Sequence, residues 1–412
     1  MGGDRTQRRR RATMRLVPSS LRGSAGPLTQ DHDVALLDLD GVIYLGADAV
    51  PGAASALAAA RDQDMRLAFV TNNAARPPHA VADHLNDLGI AARVDEIVTS
   101  AQAAARYLSD RLPGGASVLV VGTTGLEEAL RERGLVPVAT AEGQVDAVVQ
   151  GYSPEMNWRL LAEGAIAINR GVVWVATNLD PTVPSSRGPL PGNGSLVAAL
   201  RHATRREPVA TGKPDPTMHR ESVLRSRAQH PIVVGDRLDT DIEGANAVGC
   251  PSLLVFSGVT TVLELLAAPA ALRPTYIAAD VAGLLDAHPE PDISDGAARC
   301  GHWEVTARPH TLVLSRIDAD ADAEAEAEAE TDTDANADTE TDTDGSRQPS
   351  TWDADALDAV RALCAAQWEH ADTTNEGVPD NEDAGSSGPA SVQAADGDDA
   401  AAAMVERLGL SS

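Results

Sequence analysis

The chain has 412 residues, 43% of them hydrophobic and only 3% aromatic, with a formal net charge of −28. That length exceeds one ordinary domain, no run is apolar enough to span a membrane, and nothing forms a basic face to meet nucleic acid. Three isolated cysteines (Cys250, Cys300, Cys364) lack CxxC pairing or metal-ligand spacing, so reduced structural thiols are expected.

Residues 1–31 open the chain with a basic stretch, Arg5, Arg8 to Arg11 and Arg15, which lacks the apolar core of a secretory signal. A disordered tail is expected there, with Met14 as an alternative initiator and the cytoplasm as the location. From residue 32 to 112, apolar runs alternate with Ala-rich amphipathic stretches, the pattern of βαβ units. Strands are expected at 34–37, 67–70 and 97–98, and helices at 52–61, 78–88 and 101–111. The first strand ends in Asp38-Leu39-Asp40-Gly41-Val42. Alternate strand side chains share a face, so Asp38 and Asp40 start in the same direction. Burying two repelling carboxylates is costly unless a cation or a chemical task compensates; a plain Asp-Gly turn is the bland alternative. The second strand runs into Thr71-Asn72-Asn73, whose two asparagines can also be read as simple turn formers.

Pro113-Gly114-Gly115 marks a boundary. A second αβ unit over 113–204 is expected to hold strands near 117–121, 146–149 and 172–176 and helices near 124–133 and 155–168. It closes at Thr177-Asn178-Leu179-Asp180-Pro181. Asn178, Asp180 and Arg187 are candidates for substrate or interdomain contacts, with loop residues as the competing reading. Over 205–290 the first pattern resumes. Pro208–Ala210 leads into Thr211-Gly212-Lys213-Pro214, and Pro231–Val234 into Gly235-Asp236-Arg237-Leu238-Asp239-Thr240-Asp241. In a parallel α/β sheet the carboxyl ends of the strands form one ligand crevice, so these segments should meet Asp38 and Asp40. Lys213 is the single lysine beside 32 arginines. Its survival suggests a task for a compact ammonium that a forked guanidinium cannot perform. Asp239 reads as a first-turn helix residue.

Beyond residue 290 the composition shifts. Residues 292–412 carry 29 acidic and 6 basic side chains, so residues 1–291 account for only −5 of the charge. An accessory segment is expected at 291–317, an acidic low-complexity linker at 318–350, an accessory helix at 351–371 and a mostly disordered tail at 372–412. The segments flanking the linker read as halves of one small module with a regulatory or interaction role.

DLDGV, VTNN, TGKPDP and GDRLDTDI, in this order, resemble the four motifs of the haloacid dehalogenase-like phosphohydrolases. They are most similar to the NagD-like, 4-nitrophenylphosphatase and phosphoglycolate or glycerol-3-phosphate phosphatase subgroup. The resemblance covers about residues 33–288. It implies an α/β fold, with a Rossmann-like doubly wound parallel sheet as core and a C2-type α/β cap inserted between the second and third motifs. It implies Mg2+-dependent hydrolysis of small phosphate monoesters. Asp38 would be the nucleophile, Asp40 the general acid and base, and Thr71, Asn72 and Lys213 the phosphate ligands. Asp38, Asp236 and the Asp40 carbonyl would hold the metal, with Asp241 behind them. Glycerol 3-phosphate and 2-phosphoglycolate lead as substrates, ahead of pyridoxal phosphate and nucleoside monophosphates. A non-catalytic phosphometabolite sensor on the same scaffold is the alternative from another class. Relatives of this kind also lead us to expect a homodimer.

Overall fold

The computed structural model describes residues 21–183, 187–317, 352–375 and 391–411. Three sheets organise them. The core sheet is six-stranded and wholly parallel, in the order 276–278, 252–255, 231–235, 34–37, 66–71 and 97–99. Its centre, Val34–Leu37, is fully buried. Ala35 and Leu37 face one layer with Leu57, Phe69 and Leu85, while Val34 and Leu36 face the other with Ala103 and Met218. This two-sided burial is why the strand reads as a continuous apolar run, and it gives the doubly wound arrangement. Helices Ala53–Asp62 and Pro78–Asp87 lie on the first face, and Ser100–Ser109 and Pro216–Ser226 on the second.

The inserted cap is a second parallel sheet, in the order 209–210, 173–176, 147–150, 117–121 and 136–138. Val118, Val120 and Val149 pack with Ala101, Ala104 and Leu108 of the core helix Ser100–Ser109. That helix is therefore shared by both sheets. Its start is fixed by a capping box in which Thr99 and Gln102 satisfy each other's backbone N–H.

Four sequence expectations need correction. The strand Val209–Ala210 pairs with Val175 and Ala176 at the edge of the cap sheet, not with the core, so the chain leaves the cap only at Thr211. The cap has a further strand, Val136–Val138, centred on a proline; an edge position tolerates it because one side of the strand needs no ladder. Residues 21–31 are packed: Leu28 is buried, and the backbone N–H groups of Arg22 and Ser24 donate to Thr275 and His288 carbonyls. In the span 372–412, Ser391–Ala394 forms a strand and Asp399–Arg407 a helix. The helix begins where the Asp398 side chain accepts from Ala401 N–H at 2.8 Å, and Met404, Val405 and Leu408 are buried. The expectations for residues 1–20 and for the acidic linker lie outside the described residues.

The C-terminal segments form one unit. Strands 292–294, 297–300, 303–308 and 311–316 run antiparallel, and 391–394 joins them parallel to 311–316. The helix Ala354–Asn375 lies between this sheet and the core, placing Val360, Leu363 and Trp368 in one apolar cluster with Leu254, Leu265 and Ile277. The unit thus covers one face of the core sheet's outer strands. Arg273 clamps Asp372 at 2.7 and 2.9 Å, and buried Arg361 donates to the Ile277 carbonyl at 3.0 Å. All three cysteines are free thiols; burial raises Cys300 to about 12, and Cys364 above its usual range. Among the described residues, no helix is long and apolar enough to cross a membrane.

Candidate active site

The carboxyl end of Val34–Leu37 delivers Asp38, whose N–H continues the parallel ladder to the Val234 carbonyl at 2.9 Å. The chain then turns sharply. Gly41 has φ +87°, a left-handed conformation suited to glycine, and a Cβ there would collide with the Asp236 carboxylate. Asp40 bridges to Tyr44, and a short hairpin, 44–45 with 48–49, follows. Burial raises the Asp40 carboxyl, although Lys213, Arg76 and His84 pull it down and part of the residue meets solvent. A carboxyl biased toward its protonated form suits proton donation.

Lys213 reaches this point from the cap side. Its Nζ lies 2.6 Å from both Asp38 Oδ1 and Asp241 Oδ1, with only 4% of the residue exposed. Burial disfavours the ammonium, but the Asp241 and Asp38 charges outweigh it and raise its pKa. The turn carrying Lys213 is held by Asn72, whose Oδ1 accepts from Lys213 N–H at 2.8 Å and whose Nδ2 donates to the Lys213 carbonyl at 3.1 Å. The Asn72 amide is thus committed to the Lys213 backbone, and what Asn72 can offer an anion is its own N–H. Thr71 is buried, and its hydroxyl accepts from Asn73 N–H at 3.0 Å, leaving the hydroxyl proton to donate. Asn73 itself makes a local turn, accepting from Ala75 N–H at 2.8 Å.

Asp236 completes the cluster. Carboxylate oxygens of Asp38, Asp236 and Asp241 lie within 4.8 Å of one another. Asp236 Oδ2 accepts from Val259 N–H at 2.9 Å, whereas Oδ1 is buried and meets no hydrogen-bond donor among the described residues. Burial, and after it the Asp241 charge, push Asp236 up to about 6; burial likewise raises Asp38 well above its usual range. When all three are ionised, these carboxylates against one ammonium leave two uncompensated negative charges, the number a divalent cation balances. With all-oxygen donors, the residues fit a hard cation such as magnesium.

Of the cap candidates, two touch the core. Asn178 Nδ2 donates to the Asn72 carbonyl at 2.7 Å, and the Asp180 carboxylate accepts from Asn72 Nδ2 at 3.3 Å. Asp180 is raised by burial and lies in the field of Arg237 and Lys213. Arg187 is exposed and precedes strand 190–191. Asp239 pairs with its neighbour Arg237.

The sequence reading missed three contributors. Tyr44 lies edge-on to His84 with centroids 5.3 Å apart, and burial followed by Asp40 and Asp38 raises its phenol. His219 is buried and neutral, lowered to about 3 by burial and then by Lys213; it packs against Gly244, close to the Pro214 carbonyl. The loop after strand 252–255 carries Ser257, Val259 and Thr260, all bonded to the Asp236 or Gly41 segments. Only the loop left a trace in the sequence, the capping pattern Thr261-x-x-Glu264 that opens the next helix.

Two family models match this architecture. One, described as haloacid dehalogenase-like hydrolase, covers residues 35–136, and a second, HAD-hydrolase-like, covers 210–284. A D-glycerol 3-phosphate phosphatase of Mycobacterium tuberculosis is 49% identical over 257 residues, 62% of this chain and 72% of the relative. The chain belongs to the haloacid dehalogenase-like hydrolases. An acid sugar phosphatase of Staphylococcus saprophyticus is 34% identical over 61% of this chain and 96% of its own. Among solved structures, glycerol phosphate phosphatase from M. tuberculosis in complex with magnesium superposes with a TM-score of 0.74 at 38% identity, covering 94% of this chain and 100% of that one. The p-nitrophenyl phosphatase from Archaeoglobus fulgidus gives 0.57 at 31% identity, with 62% and 98% coverage. The mycobacterial match therefore extends into the C-terminal unit, while the archaeal one spans little more than core and cap. Within the family this chain is a phosphoric monoester hydrolase acting on a small phosphorylated substrate, and the sensor alternative falls away.

Proposed function

We propose that the chain hydrolyses glycerol 3-phosphate, with 2-phosphoglycolate as the next candidate, through a phosphoryl group carried transiently on Asp38. The observation that carries this reading is the Lys213 ammonium held at 2.6 Å from Asp38 beside the buried, unpartnered Asp236 Oδ1. The identity to a glycerol 3-phosphate phosphatase supports the substrate class.

In this reading an Asp38 oxygen attacks phosphorus and the bond to the ester oxygen breaks, while Asp40 gives its proton to the departing alkoxide. Asp40 then takes a proton from water as that water attacks the phosphoryl group on Asp38, releasing phosphate and restoring the Asp38 carboxylate and the protonated Asp40. Lys213 neutralises charge on the equatorial oxygens, and Thr71 and the Asn72 N–H donate to them. Asp38, Asp236 and the Asp40 carbonyl would hold magnesium, which would supply further charge neutralisation at the transferring group. Splitting one displacement into two on a preorganised anion site is a general route to rapid phosphoryl transfer.

Phosphate release across a panel of small phosphate esters tests the proposal. Turnover is expected to require Mg2+ and Asp38, with glycerol 3-phosphate giving the highest kcat/KM. Release that persists in EDTA, or in Asp38→Asn, would contradict the mechanism; a different best ester would replace the substrate.

A further inference from the structure

The loop Phe256–Thr261 is where the C-terminal unit and the carboxylate cluster meet. On one side, the Phe256 ring stacks on Trp352, centroids 4.1 Å apart and planes 9° from parallel. Trp352 stands just ahead of the docking helix Ala354–Asn375. On the other side the same loop grips the site. Ser257 Oγ donates to the Gly41 carbonyl at 2.7 Å, Val259 N–H to Asp236 Oδ2 at 2.9 Å, and Thr260 Oγ1 to the Asp236 carbonyl at 2.5 Å. Gly258 packs so closely that a Cβ would collide with the Asp236 side chain. The loop therefore fixes which way the free Asp236 Oδ1 points.

We propose that Trp352 is a positioning residue for the Asp236 metal site. By stacking on Phe256 it fixes the loop that orients the Asp236 carboxylate, so the C-terminal unit sets the affinity of the catalytic centre for its divalent cation. The inference rests on the metal-site reading given above. Loss of a partner that orients a ligating side chain typically costs about 10- to 100-fold in metal affinity, and a stacked aromatic pair adds geometric specificity beyond the area it buries. Other contacts of the docking helix, among them Trp368 Nε1 to the Leu265 carbonyl, Arg361 to the Ile277 carbonyl and Arg273 to Asp372, lie beyond the loop and hold the unit without touching Asp236.

The test is direct Mn2+ binding to the full-length protein, followed by electron paramagnetic resonance, alongside kcat at saturating Mg2+. Trp352→Ala and the apolar but non-aromatic Trp352→Leu are expected to weaken Mn2+ binding about 10-fold, leaving kcat at saturating metal within about 2-fold. Trp352→Phe, which keeps the stack, is expected to restore the affinity. Asp372→Asn, which loosens the same docking helix away from the loop, should lower Tm without changing Mn2+ affinity. A folded Trp352→Leu protein with wild-type Mn2+ affinity would overturn the proposal, as would an equal loss in Asp372→Asn. Failure of the wild type to bind Mn2+, or unchanged binding in Asp236→Asn, would instead sink the metal-site reading.

Discussion

Lys213 shows how much one side chain can carry. Its ammonium sits within 2.6 Å of two carboxylates in a buried slot, and a guanidinium there would bring a plane of five donors into space shaped for a point charge. Lys213→Arg is therefore expected to lower kcat by about 100-fold or more, with circular dichroism unchanged; retention of more than about a tenth of kcat would refute this. The same residue was legible in the sequence, because a lone lysine among arginines after Thr211-Gly212 is a chemical anomaly. Tyr44 and His219 were not, since nothing in their local patterns distinguishes a crevice residue from an ordinary core one. Asp236 supplies the pH dependence. Burial and Asp241 raise it to about 6, so between the ordinary carboxylate range and that pH the metal-free fold holds a proton that the unfolded chain has lost. Its contribution to metal-free stability is greatest below the ordinary carboxylate range and is lost as pH rises through about 6. Metal must displace that proton. Calorimetric titration should show Mg2+ affinity falling as pH drops through about 6, with proton release on binding; a flat profile from pH 5 to 7 would contradict the assignment.

At the scale of elements, the junction of core and cap depends on Asn72. Its amide grips the Lys213 backbone on both sides, its carbonyl accepts from Asn178, and its Nδ2 reaches Asp180. One residue thus ties the second motif, the third motif and the returning cap strand. Asn72→Ala leaves the Lys213 turn without its clamp and is expected to reduce kcat/KM by about 10- to 100-fold, through kcat more than through KM. An effect on KM alone, with normal kcat, would assign Asn72 to substrate binding. The strands and helices of residues 34–111, and most of those of 117–176, could be read from their apolar periods, because strands buried on both faces and capped amphipathic helices leave strong local signals. The core strands 252–255 and 276–278 were not read. Val209–Ala210 was misassigned for the opposite reason: a two-residue edge strand carries no information about which sheet it joins. Ser391–Ala394 and Asp399–Arg407 escaped because acidic, alanine-rich flanks mask a short apolar face, and only pairing with Thr311–Leu314 gives that face a partner.

At the scale of the molecule, the C-terminal unit is part of the catalytic body's packing. It covers Leu254 and Ile277 on the outer strands and Leu265 on the helix Val262–Leu266, surface that a parallel sheet otherwise buries under its own helices. A chain ending after His288 is expected to lose several degrees of Tm and to aggregate, which thermal unfolding and light scattering would report. An unchanged Tm in a monodisperse truncated protein would contradict this packing role. The archaeal p-nitrophenyl phosphatase, matched over almost its whole length by only 62% of this chain, has little more than core and cap as its structural minimum. In this chain the C-terminal unit is built onto that minimum beside the carboxylate cluster. The central claim, that Asp38 carries the phosphoryl group, can be tested in one measurement. Asp40→Asn, which lacks the base for the second half-reaction, would be mixed with Mg2+ and p-nitrophenyl phosphate, quenched in acid and examined by peptide mass spectrometry. The peptide containing Asp38 is expected to gain the mass of one phosphoryl group as p-nitrophenol is released. Release of p-nitrophenol with that peptide unmodified at every quench time would contradict it.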